Sequence, residues 1–205
     1  MARYRGPKNR IARKFGANIF GRRKNPLATK SNPPGQHGAK RKKRSDFGNQ
    51  LHEKQKLASF YGVMPLKTLS RYYKEAMRKQ GNTSDLFIQL LESRLDVVVY
   101  RMKFAPTIFA SQQLVAHGHV QVNGRKVDIR SYQVKANDVI SLKEKTLELS
   151  IVKDSLASTR ELPAYLSFDS ATNKGSVLIL PALDQVSFSL HINVPVVCEY
   201  LAYTS

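Results

Sequence analysis

The side chains whose type and spacing could do chemistry are cations, crowded at one end of the chain. Residues 1–45 hold fifteen Lys or Arg and no acid. Arg3, Arg5, Lys8, Arg10, Arg13 and Lys14 alternate with Tyr4, Ile11 and Phe15, followed by Arg22, Arg23 and Lys24. The densest run is Lys40, Arg41, Lys42, Lys43 and Arg44. Alone, such a run is as well explained by a localisation signal or a solvated surface. At the end of an arm this basic, contact with the phosphates of a nucleic acid is the better reading. The formal net charge is +19, and residues 143–205 carry seven acids against five bases, so the cationic chemistry belongs to the first two-thirds of the chain.

Other chemistries find little support. Gly16 and Gly21 have the spacing of a phosphate loop, but Arg22 and Arg23 stand where Lys and Ser or Thr are required, and no strand precedes them. His37, His52, His117, His119 and His191 are scattered, and His117 and His119 have no third ligand nearby, so no metal or other cofactor is expected. The single cysteine, Cys198, excludes an internal disulfide and reads as a small buried apolar residue. The N-terminus lacks the apolar core of a secretion signal, and no apolar run reaches the roughly 20 residues of a spanning helix. A soluble, cytosolic protein without membrane contact or small-molecule substrate is expected.

Elements must position these cations. Gly6-Pro7, Asn25-Pro26 and Asn32-Pro33-Pro34-Gly35 interrupt the arm, which lacks apolar surface and is expected to order only against a charged partner. From Ser45 the pattern turns helical: a short helix at Ser45 or Asp46, a longer one over Asn49 to Tyr61, and a stop at Gly62. Pro65 suits the start of the next helix, which ends at Gly81. Its inner face is read as Leu66, Leu69, Tyr73, Ala76 and Met77, with Arg71, Lys74, Arg78 and Lys79 elsewhere around it. Tyr73 is assigned to the core, while Tyr72 points another way and is available to a ribose or base. Thr83 or Ser84 caps a third helix.

Residues 94–142 follow a tighter plan. Leu95, Val98, Val99 and Met102 fall at i, i+3, i+4 and i+7, one buried helical face, and Arg94 and Arg101 share another. The first helix breaks at Ala105-Pro106; Thr107 caps a second, which runs to about His117 and stops at Gly118. His119 to Val122 alternates with period two, and Asn123-Gly124 is a hairpin turn. Beyond, Leu147 to Leu156 reads as a helix, and Tyr165–Phe168, Gly175–Leu180 and Val186–Ile192 as strands. With its negative balance this segment is expected to complete a mixed sheet with the hairpin or to face a neighbouring protein.

RLDVVVYRM, QLVAHGHVQVNGRKVDI and NDVISL resemble the small RNA-binding module named after the S-four family of small-subunit ribosomal proteins. MARYRGPK, SDFGNQLHEKQKLASFYGV and RYYKEAMRKQGNT resemble the family itself, so the likeness covers most of residues 1–142. It implies an α+β protein: a basic N-terminal arm (1–45), a small helical bundle (46–93), an RNA-binding module (94–157) of helix-turn-helix plus β-hairpin on a small mixed sheet, and a C-terminal segment (158–205). It implies RNA contact by Arg94, Arg101, Gln113, His117, His119, Asn123 and Arg125, groups that pair with phosphates, 2′-hydroxyls and bends of a structured RNA junction. Arm and bundle add the cations named above with Lys54, Lys56, Arg71, Tyr72 and Lys74. Gln112 departs from the family, where arginine is common at this position. Some members hold zinc in the arm through cysteines; with none here, no metal is carried over. The partners implied are small-subunit ribosomal RNA and other small-subunit ribosomal proteins, with roles in subunit assembly and translational accuracy.

Two rivals are weaker. Pseudouridine synthases carry the same module and an Arg-Leu-Asp motif, but no catalytic-sized region follows residue 142. A non-specific architectural binder would need charge alone, without a defined bundle and module.

Overall fold

The computed structural model describes residues 4–22, 24–40 and 43–204. In chain order its elements are α1 (Lys8–Phe15), α2 (Pro26–Thr29), α3 (Asp46–Phe60), α4 (Leu66–Met77), α5 (Thr83–Glu92), α6 (Leu95–Arg101), α7 (Ile108–Ala116), β1 (Val120–Val122), β2 (Arg125–Lys126), β3 (Val139–Leu142), α8 (Glu144–Leu147), α9 (Ser150–Leu156), β4 (Leu166–Asp169), β5 (Lys174–Val177) and α10 (Val194–Thr204). The chain forms two compact units. Residues up to 84 join 188 onward in one, and residues 85–187 form the other.

The first unit is helical. Ser45 caps α3 by accepting from the Gly48 amide, and Asp46 complements the positive end of the helix. One continuous helix therefore replaces the short and long pair expected. On α4 the buried residues are Leu69, Tyr72, Tyr73 and Ala76, whereas Leu66 and Met77 are exposed. Because α10 packs on both α3 and α4, the buried stripe of α4 is turned toward Tyr72. Helix α10, VPVVCEYLAYT, buries Val194, Val197, Cys198, Tyr200 and Leu201, while residues 186–192 form no strand. Within the arm the chain forms a helix of its own. Helix α1 buries Ala12, ends in a left-handed cap at Gly16, and is followed by the buried pair Ile19 and Phe20.

The second unit carries a five-stranded sheet of order β2-β1-β3-β5-β4, and every pairing is antiparallel rather than mixed. Asn123 and Gly124 both adopt positive φ (50° and 76°), the geometry of a two-residue type I′ turn. Leu95, Val98, Val99 and Met102 of the first helical face pack with Leu114, Val115, Val120, Ile140 and Val177 in one apolar core. A Cβ on Gly175 would lie 2.5 Å from the Met102 sulfur, so any larger residue on β5 would have to displace the buried Met102 side chain that follows α6. Lys103, at φ 63°, ends α6 ahead of Ala105-Pro106. Thr107 caps α7 by accepting from the Ala110 amide, as its position suggests.

Candidate nucleic-acid interface

The arginines expected to reach outward from the module turn inward. Arg94 is buried, and its guanidinium donates to both oxygens of the buried Asp96, at 3.0 and 2.8 Å. Arg101 forms the same fork with Glu92, at 3.1 and 2.8 Å, and donates to the Ser187 carbonyl. The Glu92 side chain is wholly buried and also accepts from the Tyr165 hydroxyl at 2.9 Å. Burial, and then the neighbouring Glu92 charge, raise the Tyr165 phenol far above its ordinary value. An arginine in this position ties α6 to the end of α5, whose carboxylate also holds Tyr165, the residue before β4. Withdrawing it to grip a phosphate would strand a buried carboxylate, at a cost of several kcal/mol. Gln112 also turns inward, donating to Asp96 at 3.3 Å and accepting from Arg130 at 3.4 Å.

What the module does present lies at the C-terminal end of α7 and along the hairpin. Gln113 and His117, one turn apart, are exposed, as is Arg125. His119 sits half-buried, with its ring 6.1 Å from that of His117 and Nδ1 2.9 Å from the Thr146 hydroxyl. Asn123 is exposed but occupied: its amide donates to Asp138, and its carbonyl accepts from the Val139 amide, both at 2.8 Å. Its first duty is to lock the turn. Two further cations belong to this surface. The Lys126 side chain lies across Gly118, where a Cβ would meet its Cε at 2.2 Å. Exposed Lys143 donates its backbone amide to the His119 carbonyl. The pairing of β1 with β3, distant in sequence, brings Lys143 here, and no local pattern announces it.

In the helical unit, Arg5, Arg10, Lys14, Arg22, Lys24, Lys40, Lys43, Arg44, Arg71 and Lys74 are exposed, while Lys8 and Arg13 are half-exposed. Several are steadied by neighbours: Arg13 by the Asn32 carbonyl, Arg22 by Asn9, Lys14 by Gln55. Lys56 pairs with Glu53, and Lys54 lies 5.2 Å above the Tyr200 ring. Lys67, Arg71, Lys74 and Arg78, at i, i+4, i+7 and i+11 on α4, line a groove of about 660 Å³ with Thr68, Ser70 and Glu75. Lys67 and Arg78 join the two α4 cations read as RNA ligands, and their helical spacing is the signal for all four. Tyr72 is not part of this surface. It is 2 % exposed beneath Arg71, whose guanidinium stands 5.3 Å from the ring, so the tyrosine braces a cation rather than stacking on a base. Arg3, Arg23, Arg41 and Lys42 lie outside the described residues.

Among the described residues no three of His, Cys, Asp and Glu converge as metal ligands, and no helix is long and apolar enough to cross a membrane. Both units thus offer cations and polar groups on the outside of packed cores.

Comparison with known proteins agrees along the whole chain. A family described as ribosomal protein S4/S9 N-terminal domain matches residues 3–92, and the S4 domain family matches residues 93–140. Small ribosomal subunit protein uS4 of Chlamydia muridarum is 58 % identical over 207 residues, covering 99 % of both chains. That of Chlamydia pneumoniae is 56 % identical over 207 residues, again 99 % of both. That of Protochlamydia amoebophila is 53 % identical over 206 residues and covers 100 % of both. The chain belongs to the uS4 family of small ribosomal subunit proteins.

Proposed function

We propose that this protein is a non-catalytic constituent of the small ribosomal subunit, and that it grips folded ribosomal RNA with exposed cations of both units. Ribosomal RNA and neighbouring ribosomal proteins are its partners, and the bacterial cytoplasm, within the ribosome, is its location. The finer assignment rests on one observation: four cations of α4 share a groove on its outer face, and Arg125, Lys126 and Lys143 are exposed around the hairpin. Such groups neutralise phosphates where RNA helices crowd together, which positions the RNA without reading its sequence. Holding converging helices together favours an early role in assembling the subunit. The apolar, mildly acidic C-terminal region suits contact with a neighbouring protein, through which translational accuracy would be affected.

The test is salt dependence together with selectivity. With about eight phosphates neutralised, log K should fall against log salt with a slope of roughly −6 to −7. A structured fragment of small-subunit RNA should outcompete a random RNA of equal length in the same salt. Equal binding of the two would leave only a non-specific cationic binder. In a sucrose gradient of cell lysate the protein should travel with small subunits, and a free pool alone would contradict the assignment.

A further inference from the structure

Most residues lining the α4 groove suit a phosphate, and one does not. Lys67, Arg71, Lys74 and Arg78 follow at steps of four, three and four residues. On a helix they fall within about 60° of one another and rise by about 6, 4.5 and 6 Å, which makes a straight row. Arg78, the residue after α4, keeps right-handed helical φ and ψ (−77° and −17°), so the row does not break there. Thr68 and Glu75, seven residues apart, lie along one flank of the row, about 10 Å from each other, and Ser70 lies along the other.

A carboxylate beside a row of phosphate-binding cations needs a reason. It is within reach of a ligand: the Glu75 side chain is 46 % exposed, and Lys79, 4.0 Å away and 49 % exposed, makes a loose pair with it. Arg71, one turn earlier and well placed to meet it, stands instead 5.3 Å from the Tyr72 ring. Left as it is, the carboxylate repels the phosphates that the row attracts. It favours binding when the ligand brings it a hydrogen-bond donor. Along a nucleic-acid backbone the donor that lies beside the phosphates is the ribose 2′-hydroxyl, which RNA has and DNA lacks.

We propose that the α4 groove seats the sugar–phosphate backbone of one RNA strand, with phosphates on the cation row and riboses turned to the other flank residues, where the Glu75 carboxylate accepts from a 2′-hydroxyl. The Thr68 hydroxyl, on the same flank, can donate to or accept from a neighbouring ribose. The proposal rests on the RNA-binding reading of this groove and adds to it a requirement for ribose. The hydroxyl–carboxylate bond is charge-assisted, and a deoxyribose in its place leaves the carboxylate facing phosphates with no donor. Recognition from outside the backbone also suits A-form RNA, whose major groove is too narrow for side chains to read.

The test is a thermodynamic cycle on the full-length protein. A structured small-subunit RNA fragment is made with natural 2′-hydroxyls, with 2′-fluoro groups at its pyrimidines, and with 2′-fluoro groups at its purines. Fluorine keeps the A-form sugar pucker and removes the donor. Wild type should bind the natural RNA more tightly than the fluoro forms. Hydroxyl contacts elsewhere on the protein add to this preference equally in every variant, so the readout is its change. In E75A the preference over at least one fluoro form should shrink by about tenfold, and in T68A by less. Equal tightening of E75A on all three RNAs, with the preference intact, makes Glu75 a bystander acid and overturns the proposal. The variant with all four α4 cations replaced by Gln tests the underlying reading separately. A wild-type salt slope for it on natural RNA means that the groove is no RNA site at all. A shallower slope, with the E75A preference intact, means that the ribose requirement alone fails.

Discussion

Arg101 of α6 and Arg71 of α4 are the same residue in the same kind of element, and the protein uses them in opposite ways. Arg101 ends in the fork of a wholly buried carboxylate, while Arg71 lies exposed along a groove with Lys67, Lys74 and Arg78. The difference comes from the neighbours. In the second unit the buried acids Glu92 and Asp96 sit in a mostly apolar run, and each holds one guanidinium. In the first unit Glu75 is the one acid among the residues lining the α4 groove, and Lys79 stands 4.0 Å from it. Net charge therefore overstates the number of exposed cations. On the function proposed above, a cation counts toward binding only when no buried acid has taken it.

The largest effect should come from breaking one side of that contrast. Glu92→Ala leaves Arg101 buried without its partner and takes the acceptor from Tyr165, so the unfolding free energy should drop by about 3–5 kcal/mol. Chemical denaturation checks this, and a loss under about 1 kcal/mol would mean the fork is ornamental. Arg101→Met with Glu92→Met, which removes both charges, should recover much of that loss. If the arginine were an RNA ligand, the double variant would instead show a shallower salt slope.

Neutralising the other side should do the reverse. Replacing Lys67, Arg71, Lys74 and Arg78 by Gln should leave thermal stability nearly unchanged. It should make the slope of log K against log salt shallower by about 3 units, roughly 0.7–0.9 per phosphate.

A pH effect of intermediate size follows from His52. Its native value lies near 4, below the ordinary 6.5, so between those pH values the unfolded chain binds more protons than the folded one. Stability is fully present above about pH 6.5, declines as pH falls toward 4, and loses nothing more from this group below that. His52→Phe should flatten the decline, as thermal melts over pH 4–7 would show. The smallest effect belongs to the hairpin: Lys126→Gln should weaken RNA binding by about one phosphate contact and leave folding unchanged.

Much of the second unit was legible because its signals are local. Asn123-Gly124 can hardly be anything but a tight turn, Thr107 after Pro106 must cap, and the spacing of Leu95, Val98, Val99 and Met102 names its own buried face. The missed features depend on distant partners. Tyr165 lies 73 residues from Glu92, so nothing near Arg101 reveals the three-way bond that holds it. Lys143 reaches the hairpin surface only through the pairing of β1 with β3. In α10, β-branched residues around Pro195 make an apolar run that can be read either way, and its packing on α3 and α4 decides for helix. Tyr72 was misplaced by less than one helical step, because α10 turns the buried stripe of α4 toward it. One further signal is local: Glu92 and Asp96, acids within a mostly apolar stretch, are the kind of residue that stays buried only with a cation.

The most direct measurement is the salt slope for a structured small-subunit RNA fragment, taken for three proteins of verified fold. They are the wild type, the Arg101→Met/Glu92→Met pair, and the α4 protein with four cations replaced by Gln. If exposed cations bind RNA and buried arginines build the scaffold, the first two slopes agree and the third is shallower by about 3 units. An unchanged slope for the α4 protein, with a shallower one for the buried pair, would contradict it.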